Sequence, residues 1–152
     1  MVVEGCSFKT CRLSIDSWRG ATLRGAPFPD RSQVVASILT QAVTRALPDG
    51  WQGSYDERRA AAWLAARERE GPVLFAVEHE TDAAVGLVLL FEAETEDGRN
   101  VDVRLGYLFA EEAWGKGLAS ELVAGFVEWC RREGLIRSVI AGVGVDNRAS
   151  LR

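Results

Sequence analysis

A chain of 152 residues with 47 % hydrophobic side chains carries apolar material for one sizeable core, so residues 1–152 are expected to form a single domain. The net charge of −4, with basic residues scattered among acids, speaks against nucleic acid as the main partner. Cys6, Cys11 and Cys130 show neither metal-ligand spacing nor a disulfide framework, no N-terminal stretch reads as a signal peptide, and no apolar run approaches the ~20 residues of a membrane span. The expectation is a soluble, cytoplasmic protein with no bound metal and no membrane partner.

In chain order, residues Cys11 to Trp18 alternate between apolar and polar and predict a first strand. Gly20, Gly25, Pro27 and Pro29 cluster as breakers and predict a loop. From Asp30, a suitable N-cap, Val34, Val35, Ile38, Leu39, Ala42, Val43 and Leu47 recur at helical spacing over 31–47, until Pro48-Asp49-Gly50 stops the run. A second helix is expected over Ser54–Glu70. Ser54 and Glu57 stand in capping-box relation, and Ala61, Trp63, Leu64 and Ala65 offer packing surface. Arg67-Glu68-Arg69-Glu70 reads as a solvated face.

The character then changes. Val73–His79, Ala84–Glu92 and Val101–Phe109 are β-rich runs joined by short polar turns, which predicts an antiparallel meander. His79, the sole histidine, ends the first run beside a turn and is expected to be structural or solvated. After the meander, Leu118, Leu122, Phe126, Val127, Trp129 and Cys130 line one side of a helix that ends near Gly134. A strand over Ser138–Val145 should then lie parallel to Val101–Phe109. The fold class is α+β with one mixed, mostly antiparallel sheet flanked by helices. Asp146 looks like the N-cap of a further helix, of which only a few residues remain before Arg152. The expectation is that the native protein continues past Arg152, or that a homodimer swaps in strands to cover the apolar edge of 138–145.

Gly115 and Gly117 flank Lys116 where strand and loop hand over to a helix. Glycines let successive N–H groups turn into one concavity, the helix start adds unpaired N–H groups and a positive dipole end, and Lys116 adds charge. Such a place suits a pyrophosphate. A glycine loop kept only for packing remains the plain alternative. A Walker A loop does not fit, because position 110 is Ala and position 117 is Gly. The dinucleotide fingerprint fits poorly, since Ser120 replaces its third small residue and an antiparallel meander lies upstream.

The segment Trp114-Gly115-Lys116-Gly117-Leu118-Ala119, the preceding Leu105-Gly106-Tyr107-Leu108 and the later Asp146-Asn147-Arg148-Ala149-Ser150 resemble, in that spacing, the GNAT superfamily of N-acetyltransferases. Within it they are closest to the branch that acetylates ribosomal-protein N-termini. The resemblance implies acetyl-CoA as co-substrate and direct transfer to an amine, through a β-α-β acyl-CoA-binding unit. It implies that Trp114, Gly115, Lys116, Gly117, Leu118, Ala119 and Ser120 hold the pyrophosphate. It further implies that free backbone groups of Leu108 and Phe109 pair with the pantetheine arm, that Asn147 bonds the same arm, and that Ser150 lies near the sulfur.

An amine attacking a thioester needs a base, oxyanion donors and an acid for the leaving thiolate. Many relatives carry a Glu on the strand where this chain has Arg104, so Asp102 and Glu92 are the candidate bases and Ser150 the candidate acid. An acetyltransferase acting on a protein N-terminus or a small-molecule amine is the leading expectation. A catalytically silent acyl-CoA-binding or regulatory module is the alternative, and a nucleotide-dependent oxidoreductase the third.

Overall fold

The computed structural model describes residues 2–18, 21–23, 26–28 and 30–141. A short 3-10 turn, Val2–Gly5, precedes β1 (Phe8–Lys9) and β2 (Leu13–Asp16), and β3 (Ala21–Leu23) and β4 (Ala26–Phe28) follow as a two-stranded ribbon. Helices α1 (Arg31–Ile38), α2 (Gln41–Thr44) and α3 (Glu57–Glu70) come next, then the meander β5 (Val73–Glu78), β6 (Ala84–Glu94) and β7 (Val101–Phe109). A 3-10 turn over Glu111–Ala113 leads into α4 (Leu118–Glu133), and β8 (Ile136–Ala141) closes the described chain. Six strands form one sheet in the order β1-β2-β5-β6-β7-β8. Every neighbouring pair is antiparallel except β7 and β8, which α4 connects in parallel as the β-α-β pattern predicts.

Because strand side chains alternate, the sheet buries two separate cores. On one face Leu13, Ile15, Val88, Leu90, Val103 and Leu105 meet Leu118, Leu122, Phe126 and Trp129 of α4. On the other, Val73, Phe75, Leu87 and Leu89 meet Val34, Val35, Ile38, Trp63 and Leu64 of the early helices. Gly134 ends α4 in the left-handed region (φ 73°), with its N–H donating to the carbonyl of Cys130. Cys6 and Cys130 sit in the α4 core, where burial, then neighbouring charge, pushes the Cys6 thiol up to about 12; burial raises Cys130 to about 11. Both are packing residues rather than nucleophiles.

Five local expectations are corrected. The breaker-rich stretch near Pro27 is the β3–β4 ribbon, with Thr22 opposite Pro27; a two-stranded ribbon tolerates Pro because both its strands are edges. The run over 31–47 is two helices. Thr40 breaks it by turning extended and accepting the N–H of Val43 on its hydroxyl. The cap of α3 is Asp56, which accepts from the Arg59 N–H at 2.7 Å, instead of Ser54. Its packing stripe is Ala60, Trp63 and Leu64, while Ala61 and Ala65 are exposed. Arg67 belongs to that stripe rather than to a solvated face, for its guanidinium lies 4.1 Å over the Trp51 ring. Phe8–Lys9 was not anticipated as a strand, being two residues long. The part of the last strand after Ala141, and the helix start at Asp146, lie outside the described residues.

Candidate active site

The loop after β7 is built to leave backbone donors open. Gly115 (φ 75°) and Gly117 (φ 78°) both take the left-handed conformation, which costs a side-chain-bearing residue roughly 1–2 kcal/mol. Gly117 occupies the N-cap position of α4 and so brings no side chain to the first-turn N–H groups. Its carbonyl accepts the first helical bond, from Glu121. The amides of Leu118, Ala119 and Ser120 thus begin the helix uncapped, at the positive end of a 16-residue dipole. The Leu118 side chain is buried in the core, so only its backbone can face a ligand, whereas Lys116 and Ser120 are exposed. Trp114, 49 % exposed, is tied back by its indole N–H to the carbonyl of Phe109 at 2.9 Å.

The register of β7 sorts its backbone groups. Ala110 donates to Val85 of β6, while Val101 donates to Leu135 on the β8 side. Antiparallel pairing alternates, so even-numbered residues of β7 bond β6 and odd-numbered ones face the other way. Leu108, opposite Leu87, therefore spends its N–H and C=O on β6. Phe109 and Tyr107 turn theirs toward the side where β8 pairs with β7 as far as Leu105–Ala141. The backbone groups of Leu108, expected to pair with the pantetheine arm, are thus engaged with β6.

Glu92 and Asp102, the two candidate bases, point their side chains to opposite faces of the sheet, although both residues contribute to the lining of one cleft. Glu92 stands opposite Val103 and faces the α4 side, where its two carboxylate oxygens accept the N–H groups of Val2 and Val3, each at 3.0 Å. Asp102 faces the opposite side and is gripped by Arg137, through Nε at 3.0 Å and Nη2 at 2.6 Å, and by the Ser138 hydroxyl at 2.8 Å. Those bonds, from Arg137 first and then Ser138, hold the Asp102 carboxyl below its ordinary range. A base works best with its pKa near the working pH, so the grip on Asp102 suits a structural anchor better than proton abstraction. Asn147 and Ser150 lie outside the described residues. His79 is an exposed structural residue, with Nε2 2.9 Å from the Ser14 hydroxyl and Nδ1 3.3 Å from the carbonyl of Cys11.

A pH dependence follows from Asp102. Its folded-state pKa lies below the unfolded one, so the pair contributes stability above about pH 4 and loses it as the pH falls through the folded value. Asp102→Asn is expected to flatten the fall of the thermal midpoint below about pH 4 and to leave the acid limb of kcat/KM in place. An acid limb displaced by this substitution would return Asp102 to the role of base.

On the face of the early helices, Trp51, Arg67, Phe91, Arg104 and Ile140 line a cleft of about 550 Å³. Arg104 is exposed there on β7, and the buried Nε of Arg67 has no hydrogen-bond partner among the described residues. The sequence also carried no signal for a group beside the glycine loop. Arg12, in the turn between β1 and β2, donates through Nη1 to the carbonyl of Lys116 at 2.9 Å and through Nε to Glu121 at 2.8 Å. Thr10 adds its hydroxyl to the same Glu121 carboxylate. Among the described residues no cluster of three or more His, Cys, Asp or Glu side chains could hold a metal ion, and no helix is long and apolar enough to cross a membrane.

The acetyltransferase (GNAT) domain profile matches residues 22–152. No curated protein sequence matches the chain. Among solved structures it is similar to a GNAT-family acetyltransferase of Bacillus anthracis, with a TM-score of 0.73 and 18 % identity over 97 % of this chain and 79 % of that one. It is also similar to a Vibrio cholerae protein described as "a putative ribosomal-protein-serine acetyltransferase", with a TM-score of 0.67 and 17 % identity over 97 % and 79 % of the two chains. A GNAT-family acetyltransferase of Streptococcus pneumoniae aligns with a TM-score of 0.56 and 18 % identity over 91 % and 79 %. At such identities the likeness speaks for the fold, a mixed α+β sheet of the GNAT kind.

Proposed function

The chain belongs to the GNAT acetyltransferase family, and from that premise we propose that it moves an acetyl group from acetyl-CoA to a primary amine by direct attack on the thioester. The observation that carries this reading is the uncapped start of α4 behind two left-handed glycines, a set of backbone donors in search of an anion. The amides of residues 115–120 hold the pyrophosphate there. The outward backbone groups of Tyr107 and the N–H of Phe109, whose carbonyl is held by Trp114, take the pantetheine arm, and Asn147 bonds it further along. The amine nitrogen attacks the carbonyl carbon, the C–S bond breaks, and the thiolate takes a proton, for which Ser150 is the proposed donor. The amine gives up one proton to solvent water, and the cleft beside Arg104 and Trp51 receives the rest of the acceptor, since its walls come from the early helices and the central strands.

Turnover tests this directly: acetyl-CoA is incubated with a panel of primary amines, including peptides with a free N-terminal serine, and CoA release is followed. That peptide class is included because of the description of the Vibrio cholerae neighbour. A second reading, a CoA-binding module without turnover, draws on Arg104 and on the engagement of both candidate carboxylates in other bonds. CoA binding without acetylation of any amine in the panel would favour it.

A further inference from the structure

Arg12 is 109 residues from the first turn of α4 in sequence, yet it is bonded to both sides of the glycine loop. Its Nη1 holds the carbonyl of Lys116, its Nε holds Oε1 of Glu121, and its own backbone N–H donates to Glu121 Oε2 at 2.8 Å. Its Nη2 lies 3.7 Å from where a Cβ on Gly117 would stand, which places the guanidinium directly against the loop. Two consequences follow. A trans peptide points its C=O and N–H in opposite directions, so anchoring the Lys116 carbonyl turns the Gly117 N–H away from Arg12 and leaves it open to a ligand. Glu121, in the first turn of α4, sets a negative charge beside the place proposed for a pyrophosphate. Burial works against that charge, but bonds from Thr10 and Arg12 overcome it and hold the carboxyl below its ordinary range, so the acid stays ionised and needs a partner.

We infer that Arg12 is a positioning residue for coenzyme binding: it orients the Lys116–Gly117 peptide and cancels the charge of Glu121, so that the loop accepts an anion. The inference rests on the proposed pyrophosphate site. The side chain has no need to touch the coenzyme, and the Gly-Lys-Gly segment alone does not suffice to make the cradle. The β1–β2 turn becomes part of the binding apparatus through Thr10 and Arg12 together.

Calorimetric affinities for CoA and for pantetheine, which lacks the pyrophosphate, test this in Arg12→Met, in Arg12→Met/Glu121→Gln and in Gly117→Asp. Arg12→Met is expected to lower the ratio of CoA to pantetheine affinity about tenfold, the scale of one lost charge-assisted bond. Adding Glu121→Gln is expected to recover a large part of that ratio, because the uncompensated carboxylate disappears; this rescue also decides the matter if Arg12→Met alone folds poorly. An unchanged ratio in Arg12→Met, or a double variant no better than the single one, overturns the inference. Gly117→Asp separates the two levels. If it abolishes CoA binding while Arg12→Met does not alter the ratio, the role of Arg12 falls and the site stands. If Gly117→Asp binds CoA normally, both fall.

Discussion

Gly117→Asp is expected to weaken CoA binding by roughly a hundredfold or more, which is about 3 kcal/mol. The position is the N-cap of α4 and is held at φ 78°. Asp tolerates that conformation better than most residues, so local strain is the smaller part of the effect. The larger part is charge: a carboxylate about 4 Å from a phosphate oxygen costs about 4 kcal/mol at an effective dielectric near 20. Arg12, close to the new side chain, offsets some of it. Gly117→Ala separates the contributions, because a Cβ there meets only Arg12 Nη2, at an ordinary 3.7 Å, so Ala brings backbone strain without charge. The affinities should fall in the order Gly, Ala, Asp, with the main step between Ala and Asp. Equal affinity for all three would remove the pyrophosphate from this loop.

Phe126→Ala is expected to destabilise the protein by about 3–5 kcal/mol and to lower the thermal midpoint by roughly 10 °C. Phe126 is fully buried on α4, stacked against Trp129 at 5.9 Å and tilted against Phe8 at 6.3 Å. Truncation leaves a cavity between the helix and the sheet that neither neighbour can fill without leaving its own site. The total stability of a domain is about 5–15 kcal/mol, so this one change removes a large share of it. The seat of α4 also positions the first-turn amides, and CoA should in turn raise the midpoint of the variant by binding the folded state. A midpoint within about 2 °C of the parent protein would mean that the α4 core repacks around the gap.

Much of this architecture was legible in the sequence because its causes are local. The stripe Leu118, Leu122, Phe126 and Trp129 lies on one side of a 3.6-residue period, Gly134 ends it, and Gly115 and Gly117 mark a turn that other residues resist. The strands of the meander, and the parallel pairing of β7 with β8, likewise follow from turn chemistry and from the intervening helix. The split at Thr40 was harder to see, because Leu39 continues the apolar period while the Thr40 side chain competes for the backbone.

Tertiary structure alone decided which groups face one another. Glu92 and Asp102 are both acids near the middle of the sheet, but the pairing of Glu92 with Val103 puts them on opposite faces, and a slip of one residue would reverse this. The same alternation gives the backbone of Leu108 to β6 and turns that of Tyr107 and Phe109 the other way. Arg12 reaches Lys116 and Glu121 only because β1 and β2 lie at the sheet edge where α4 begins its first turn. Propensity and periodicity act over a few residues and so specify helices, turns and the glycine loop. Register and long-range ion pairs depend on how the finished strands stack, and no short stretch of this sequence contains that information.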